Sequence, residues 1–416
     1  MAAPAAGEEP HQTWCCVAGC GPAGAVLGLL LARTGVEVVV LEKHADFLRD
    51  FRGDTIHPST LEILDEIGLA DRFLRLPHAR APSATLRTAD GVALRIEFGR
   101  LRTRFPYVVF VPQWDFLDFV TDEAARYPTF RLIREAEVVG LTEADGVVRG
   151  VRYRKDGRVH ELRAVLTVGA DGRQSFTRAA AGLPLVETAP PIDVLWFRLP
   201  RRPDEPGDVG ARLAPGHMAV ALNRGSYWQI AYLIPKGGDD LTRAAGLEAF
   251  RVAVAELLPE LADRVGELRS WEQVKLLSVR SDRLRRWYRP GYLAIGDAAH
   301  AMSPIGGVGI NLAIQDAVVA ANRLAGPLRR GRLTTGDLAA VQRQRELPTR
   351  IVQGLQSFLQ RRLIAPALTS DRSVRVPWLA RLLLRTPILR DVPGRLIGLG
   401  VGRPHVTGPV RAAPTS

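Results

Sequence analysis

The alternation of apolar and polar positions in the first 42 residues predicts a strand, a helix and a second strand. The run from Trp14 to Ala18 is apolar and has the length of a buried strand. A nearly all-apolar helix follows and ends near Arg33, and a second apolar run extends from Val36 to Leu41. This succession predicts a βαβ unit with two parallel, buried strands.

The turn between the first strand and the helix has the spacing G-x-G-x-x-G. Gly19 makes the turn, Gly21 allows a pyrophosphate to approach the backbone, and Gly24 allows the helix to press on the sheet. Glu42 ends the second strand, where a carboxylate can accept hydrogen bonds from ribose hydroxyls. Together these features favour a dinucleotide site, with further candidate contacts at Pro22, Ala23 and Lys43.

The middle of the chain changes from this pattern to short strands. A helix begins near Ser59 or Thr60 as its cap, and the strands between Arg131 and Val168 are joined by Asp145-Gly146 and Asp156-Gly157, which predict hairpins. Strands with polar and aromatic faces follow from Pro191 to Val279, interrupted by a helix from Leu247 to Leu257, and helices predominate after residue 326.

The predicted fold class is α/β, with a Rossmann-like nucleotide domain made of a parallel sheet and a β-meander. An antiparallel-sheet substrate domain is inserted into it, and a helical C-terminal region follows. The predicted boundaries are 14–80, 105–185 and 281–330 for the nucleotide domain, 81–104 and 186–280 for the substrate domain, and 331–416 for the C-terminal region.

Two further glycine-bearing turns follow predicted strands. Asp171 and Gly172 follow one strand, and Gly296 and Asp297 follow another, in each case before a helix. After the second of these turns, the loop from Ser303 to Gly309 leads into a helix N-terminus, where bare backbone N–H groups can meet a polar ligand. Taken alone, such a turn could be an ordinary connection, but three of them favour a cofactor site.

Composition and charge restrict the classes of function. The chain has 416 residues, 46% of them hydrophobic and 24% charged, as in ordinary globular proteins. The net charge is +12, but the arginines are scattered, so a solvated basic face is favoured over nucleic-acid binding. We expect a cytoplasmic monomer or homodimer without a transmembrane segment, with Cys15, Cys16 and Cys20 in the core and no metal site.

The three motifs, in this order, resemble the single-component FAD-dependent aromatic hydroxylases, the para-hydroxybenzoate hydroxylase-like family. The resemblance covers residues 14 to about 325 and implies that the first motif holds the ADP half of FAD. It assigns Asp171 and Gly172 to FAD and NAD(P)H, and Gly296 and Asp297 to the ribityl chain and phosphates. The remaining implied FAD contacts are Arg52, Gln113, Pro304, Gly307, Val308, Gly309, Ile310 and Asn311.

The resemblance also implies the chemistry. NAD(P)H reduces FAD, O₂ adds to give the C4a-hydroperoxide, and an OH group passes to an aromatic or polyketide-type small molecule. Pro304, Gly306 and Gly307 would form the catalytic loop at the flavin edge, and His57 is a candidate for proton transfer. The His57-to-Thr60 stretch departs from many relatives, and the C-terminal region is too short for the thioredoxin-like domain of the phenol hydroxylase branch. The sequence looks closer to the secondary-metabolite tailoring branch.

Alternatives remain open for the function and for several side chains. The scaffold could keep FAD for a non-oxygenating reaction, as a cyclase or dehydrogenase, or it could be a ligand-binding flavoprotein. The apolar and basic segment from Pro377 to Leu399 could lie on a membrane or pack on the flavin domain, and packing is favoured. Packing is also favoured over substrate contact for the strand aromatics Trp196, Tyr227, Trp228 and Tyr232, and structural roles for His217 and His300.

Overall fold

The computed structural model describes residues 11–48, 55–88, 91, 93–205, 209–370 and 390–407. Separate apolar clusters lie on the two faces of a largely parallel sheet. The strands of this sheet, in spatial order, are β19 (Tyr288–Arg289), β20 (Tyr292–Ala294), β11 (Arg158–Gly169), β1 (Gln12–Ala18), β2 (Val38–Leu41) and β8 (Phe130–Ile133).

The predicted βαβ unit is present. β1 pairs in parallel with β2 on one side and with β11 on the other, and β20 is parallel to β11. The first helix, α1 (Pro22–Arg33), is buried along almost its whole length. The carboxyl ends of β1, β11 and β20 therefore meet at one edge of the sheet, and each is followed by one of the three glycine-bearing turns.

Two hairpins extend this sheet as an antiparallel meander of β9 (Glu137–Ala144), β10 (Val147–Lys155) and β11. Both predicted turns are confirmed. Asp145 and Gly146 have φ of 53° and 74°, and Asp156 and Gly157 have φ of 48° and 73°. Positive φ at both central residues is what a type I′ hairpin requires, and Asp-Gly tolerates it.

A second sheet carries the strands predicted for the substrate domain. Its neighbours are antiparallel except for the pair formed by β14 and β5. In spatial order the strands are β17 (Lys275–Leu277), β13 (Ile192–Pro200), β16 (Tyr227–Pro235), β15 (His217–Asn223), β14 (Val209–Ala214), β5 (Ser83–Thr88) and β6 (Ala93–Glu97). Small ribbons join the two sheets: β3 (Thr55–Ile56) with β7 (Val108–Phe110) and β4 (Ala79–Ala81), and β12 (Leu185–Thr188) with β18 (Ser281–Leu284).

The remaining helices cover both sheets. In chain order they are α2 (Pro58–Glu66), α3 (Ala70–Phe73), α4 (Gln113–Ala125), α5 (Phe176–Ala180), α6 (Asp239–Ala244), α7 (Leu247–Leu257), α8 (Gly309–Arg329), α9 (Thr335–Leu359), α10 (Ala365–Thr369) and α11 (Val392–Gly398). A π-helical turn, Gln360–Ile364, joins α9 to α10.

The predicted α/β fold class is confirmed, and α7 has the predicted bounds. The predicted cap of α2 is wrong. The helix begins at Pro58 with His57 at the N-cap, because proline fits the first helical position, and the Thr60 hydroxyl donates to Asn311 instead. The domain boundaries stay a prediction, and most of the segment from Pro377 to Leu399 lies outside the described residues.

One helical stretch, Ile305–Arg329, is long and apolar enough to cross a membrane. It consists of α8 and the turn before it, and 67% of its most apolar window is buried inside the protein. A core helix passes the same length and composition test as a membrane span. Packing of α8 on α1, with Gly296 wedged between Ala23 and Ala313, accounts for the apolar composition of α8.

Candidate functional site

The first two glycine-bearing turns touch. A β-carbon built on Gly19 would lie 2.6 Å from the carbonyl oxygen of Ala170 and 2.8 Å from the Cα of Asp171. Gly19 also has φ of 98°, which only glycine adopts without strain. Glycine is required here because the backbone of the second motif presses directly on the first.

The third motif packs against α1, the helix that follows the first motif. A β-carbon on Gly296 would lie 3.0 Å from Cβ of Ala23 in the first turn of α1 and 3.2 Å from Cβ of Ala313 in α8. Asp297 follows, and its carboxylate lies 3.9 Å from Nε of Arg173, which comes directly after Gly172. Three turns that are distant in the sequence therefore surround the N-terminus of α1.

The N-terminus of α1 has the features of an anion site. Gly21 is its N-cap, no side chain caps it, and the first turn contains no acidic residue. A β-carbon on Gly21 would meet nothing within 4 Å, whereas one on Gly24 would lie 2.0 Å from the carbonyl oxygen of Gly19. Gly24 thus serves packing, while Gly21 leaves bare backbone facing open space, where a pyrophosphate fits against the helix dipole.

Glu42 ends β2 beside this turn, as predicted. Its two carboxylate oxygens accept from the backbone N–H of Cys20 at 3.0 Å and of His44 at 3.1 Å. These bonds fix the carboxylate next to the glycine turn, and the next residue, Lys43, is exposed. Contact of Glu42 with a ribose stays a prediction.

The carboxylate of Asp171 is directed into its own turn. It accepts from the Ser175 hydroxyl at 2.5 Å, from the Thr177 hydroxyl at 2.8 Å and from the Thr177 N–H at 2.9 Å. Gly172, by contrast, has φ of 83° and open space at the position of a β-carbon. The backbone of this motif is therefore better placed for a ligand than the Asp171 side chain.

The predicted catalytic loop forms a 3₁₀ turn, Ile305–Gly307, between Pro304 and Val308. Gly306 and Gly307 have φ of 80° and 62°, and a β-carbon on Gly307 would lie 3.1 Å from Oγ1 of Thr55. The loop leads into α8, whose N-terminus, at Gly309 and Ile310, has neither a side-chain cap nor an acid in its first turn. The positive end of a 21-residue helix is thus directed at this loop.

Asn311 holds the loop rather than offering its side chain to a ligand. Its Oδ1 accepts from the N–H of His57 at 2.9 Å and from the Thr60 hydroxyl at 2.8 Å. Its Nδ2 donates to the carbonyl oxygens of Thr55 and Gly307, each at 3.2 Å. All polar positions of this amide are used within the protein, so only the backbone of Asn311 remains for a cofactor.

His57 is 1% exposed, and its Nδ1 lies 2.6 Å from the carbonyl oxygen of Ile397 in α11. Burial lowers the pKa of His57 to about 4, although the bond to Ile397 opposes this effect. A neutral ring that donates to a helix carbonyl favours a structural role over proton transfer. Of the other predicted contacts, Gln113 begins α4 and is half-buried, and Arg52 lies outside the described residues.

The cysteines occupy the core, as predicted. Cys15, Cys16 and Cys20 are free and fully buried, and burial raises the pKa of Cys16 to about 12. Among the described residues, no group of three or more His, Cys, Asp or Glu side chains could hold a metal ion.

The second sheet has two distinct faces because side chains alternate along each strand. Trp228 and Tyr232 lie on the face covered by Phe250 of α7 and are 6% and 4% exposed, so packing explains these two aromatics. Trp196 lies on the opposite face, in an apolar cluster that includes Ile305 of the glycine loop. His217 bonds through Nδ1 to the Tyr232 hydroxyl at 2.5 Å, and Tyr227 stacks under Arg198.

Sequence reasoning did not find the residues that support the third turn. Asp316 of α8 accepts from the N–H of Gly296 at 3.0 Å, and Arg345 of α9 donates to Asp316 at 2.7 Å. The available signal was Asp316, an acidic residue within the apolar helix α8, because such a residue is rarely fully buried unless it is paired.

The site therefore offers two helix N-termini without side-chain caps, glycine backbone that no side chain covers, and the Glu42 carboxylate beside the first glycine turn. This set of groups fits FAD. Residues 12–353 match the family described as FAD binding domain. The chain belongs to this FAD-binding family. FAD is therefore its cofactor, and contact of FAD with Gly21, Glu42 and Asp297 stays a prediction.

The relatives of this FAD-binding protein are mainly monooxygenases. It is 34% identical over 389 residues, 92% of this chain and 91% of the relative, to the 6-methylpretetramide 4-monooxygenase of Streptomyces rimosus. It is 28% identical over 317 residues to the 12-dehydrotetracycline 5-monooxygenase/anhydrotetracycline 6-monooxygenase of the same species, covering 73% of this chain and 60% of that relative. The protein is an FAD-dependent monooxygenase.

Solved structures show the same fold. The anhydrotetracycline hydroxylase OxyS from Streptomyces rimosus superposes with a TM-score of 0.73 at 24% identity, covering 93% of this chain and 76% of that one. PqsL from P. aeruginosa, in complex with 2-aminobenzoylacetate, gives a TM-score of 0.74 at 22% identity, covering 86% of this chain and 97% of that one.

Proposed function

We propose that the enzyme uses NAD(P)H and O₂ to hydroxylate a polycyclic, polyketide-type aromatic molecule. The observation that supports this substrate class most directly is the face of the second sheet opposite to α7. Trp196, Met218 and Leu233 lie on that face in one apolar cluster with Ile305 of the glycine loop. An apolar surface beside the flavin-edge loop suits an aromatic substrate, and the 34% identical relative is named for a 6-methylpretetramide substrate.

Bound FAD would accept a hydride from NAD(P)H and pass one oxygen atom of O₂ to the substrate, the other leaving as water. The chain contributes binding and electrostatics. The N-termini of α1 and α8 stabilise negative charge on the pyrophosphate and on the ring edge, and the Pro304-to-Gly309 loop supplies backbone N–H groups. The apolar sheet face excludes water from the reacting carbon.

A non-oxygenating reaction on the same scaffold is the second candidate. A dialkyldecalin synthase of Streptomyces rugosporus is 27% identical over 315 residues, which cover 73% of this chain and 63% of that relative. The longer and closer match to a monooxygenase favours oxygenation.

We further expect the enzyme to act in the cytoplasm, since its three cysteines are free thiols, and to be a monomer or homodimer.

Isotopic oxygen separates these candidates. Purified enzyme with NAD(P)H, ¹⁸O₂ and a panel of polycyclic phenols is expected to give a product that carries one ¹⁸O atom, with NAD(P)H oxidation faster when substrate is present. Product formed without O₂ or NAD(P)H would favour the synthase reaction instead. Binding of the phenols without any product would contradict both.

A further inference from the structure

One face of α9 is polar although it is buried. Residues at helical spacing, each at most 8% exposed, form this polar stripe: Gln342, Arg345, Thr349, Gln353, Gln356 and Gln360, the last in the π-helical turn. A helix face that packs on a core is normally apolar, because buried polar groups cost free energy unless they are hydrogen-bonded. The polar stripe therefore calls for a reason beyond packing.

The C-terminal part of the stripe bonds to the segment that leads into the flavin-edge loop. Gln353 Nε2 donates to the carbonyl oxygen of Ala301 at 3.1 Å. Gln356 Nε2 donates to the carbonyl oxygens of Ser303 at 3.0 Å and of Ile305 at 2.8 Å. Each of these three loop carbonyls thus has a side-chain donor from the same helix.

Gln360 extends this contact, donating to the Ser303 hydroxyl at 2.5 Å. The Ser303 hydroxyl in turn accepts from the N–H of Ile305 at 3.3 Å. The stripe therefore holds both the carbonyls and a side chain of the segment that runs into the glycine loop.

The middle of the stripe bonds to the turn that contains Asp297. Arg345 Nε donates to Asp316 Oδ1 at 2.7 Å, and both side chains are 0% exposed. Asp316 Oδ2 accepts from the N–H of Gly296 at 3.0 Å and lies 2.5 Å from His300 Nε2. Burial alone would raise the pKa of Asp316, but His300 and Arg345 hold that pKa below its usual value. A charged acceptor therefore fixes the Gly296 amide.

We propose that the members of the polar stripe that bond to this segment, directly or through Asp316, form a positioning device for FAD; they are Arg345, Gln353, Gln356 and Gln360. It fixes the segment from Gly296 to Ile305, and with it both Asp297 and the flavin-edge loop. The stripe lies outside the predicted boundaries of the FAD domain, so α9 is a functional part of the cofactor site. This inference rests on FAD binding at the site of the proposed function, and it does not depend on which substrate is hydroxylated.

A glutamine variant gives the cleanest test, because removal of Arg345 would leave the buried Asp316 carboxylate without its arginine partner and would destabilise the fold as a whole. Gln356→Met keeps the side-chain length and removes both bonds to the loop. Gln342→Met is the matched control. Gln342 lies on the same stripe and is similarly buried, but it bonds to the N–H of Trp287 at 3.0 Å and to the carbonyl of Arg285 at 2.9 Å, outside the loop.

FAD affinity, the visible absorption and circular dichroism of bound FAD, and unfolding by urea are measured for the holoenzyme, without substrate. Gln356→Met is expected to weaken FAD binding about tenfold, the equivalent of one lost hydrogen bond, and to change the flavin spectrum. Gln342→Met is expected to lower the free energy of unfolding about as much as Gln356→Met does, but to leave the FAD affinity and the flavin spectrum unchanged. Gln360→Met provides a second loop-side variant if Gln356→Met does not fold.

Equal effects of the loop-side variant and Gln342→Met on FAD affinity and spectrum would overturn the proposal. Failure of this proposal can be distinguished from failure of the proposed function. Normal FAD binding without any oxygenated product would contradict only the proposed function.

Discussion

The guanidinium of Arg178 donates to the carbonyl oxygen of Ala298 at 3.2 Å and so joins the second glycine-bearing motif to the third. Its other terminal nitrogen donates to the carbonyl oxygen of Arg173 at 3.0 Å, within the second motif. The Arg178 side chain is only 11% exposed. One arginine therefore sets the spacing of two turns that are more than a hundred residues apart in the sequence.

Arg178→Met should weaken FAD binding about tenfold or more, because each charged hydrogen bond to a partly buried carbonyl contributes about 1.5–3 kcal/mol. Fluorescence titration of apoprotein with FAD measures the change. Arg289→Met is the control. Arg289 bonds to Glu143 and to the carbonyl of Ala181 in the same domain, away from the cofactor, so its removal should leave FAD affinity intact. An unchanged affinity in Arg178→Met would show that the two motifs hold their spacing without it.

Gly21→Val should separate cofactor binding from folding. The position has φ of −71° and open space around a β-carbon, so the apoprotein should lose no more than about 0.5 kcal/mol of stability. The new side chain would occupy the space of the pyrophosphate and abolish measurable FAD binding. In contrast, Gly24→Ala should cost about 3 kcal/mol of stability through its clash with Gly19. Urea unfolding and FAD titration of both variants check these outcomes; FAD bound normally by Gly21→Val would be incompatible with this site.

His57 should make stability depend on pH. Burial lowers the pKa of His57 to about 4 in the folded protein from its ordinary value of 6.5. The unfolded chain therefore binds more protons between these values, and stability falls as the pH falls through this window. Between pH 7 and pH 5 the loss due to His57 should be about 2 kcal/mol.

Urea unfolding at the two pH values measures this loss. His57→Gln, which keeps a donor but does not titrate, should show a smaller pH dependence by that amount. An identical pH dependence in both proteins would mean that His57 is not buried in its neutral form.

Trp196 and Trp228 should respond in different ways to substitution by alanine. Trp196 lies on the sheet face that shares an apolar cluster with Ile305, so Trp196→Ala should raise the KM for substrate about tenfold, by loss of buried apolar area. NAD(P)H oxidation without substrate should stay unchanged.

Trp228 packs on the opposite face and donates from Nε1 to Glu205 at 2.7 Å. Trp228→Ala should therefore cost about 3–5 kcal/mol of stability with little specific effect on KM. Steady-state kinetics and urea unfolding distinguish the two effects. A KM effect confined to Trp228→Ala would assign the substrate to the other face.

Local signals were sufficient to predict much of the fold. Positive φ at Asp145 and Asp156 follows from Asp-Gly in a hairpin, and the βαβ unit follows from apolar runs separated by Gly19, Gly21 and Gly24. These features depend on neighbours in the sequence. The α2 cap was predicted wrongly because Thr60 is recruited by Asn311, some 250 residues away.

The support of the site could not be predicted, because it depends on contacts between distant elements. Nothing in the sequence near Asp171 shows that its carboxylate is used by Ser175 and Thr177 and not by a ligand. The glutamines of α9 resemble an ordinary solvated face until the fold buries them against the loop. The helical spacing of Gln353, Gln356 and Gln360 can be read from the sequence. Their burial, which shows that they contact the loop, cannot.

The most direct test of the account is a titration of the apoprotein with FAD, read by flavin fluorescence and visible absorbance, in parallel for the unmodified chain and Asp297→Ala. Asp297 is about a third exposed, and its one salt bridge among the described residues, to Arg173, is long at 3.9 Å, so its loss should not unfold the protein. We expect saturation at one FAD per chain, with binding about tenfold weaker in Asp297→Ala. Failure of the unmodified chain to bind FAD, or equal affinity of both proteins, would contradict the claim that the three glycine-bearing turns hold one cofactor.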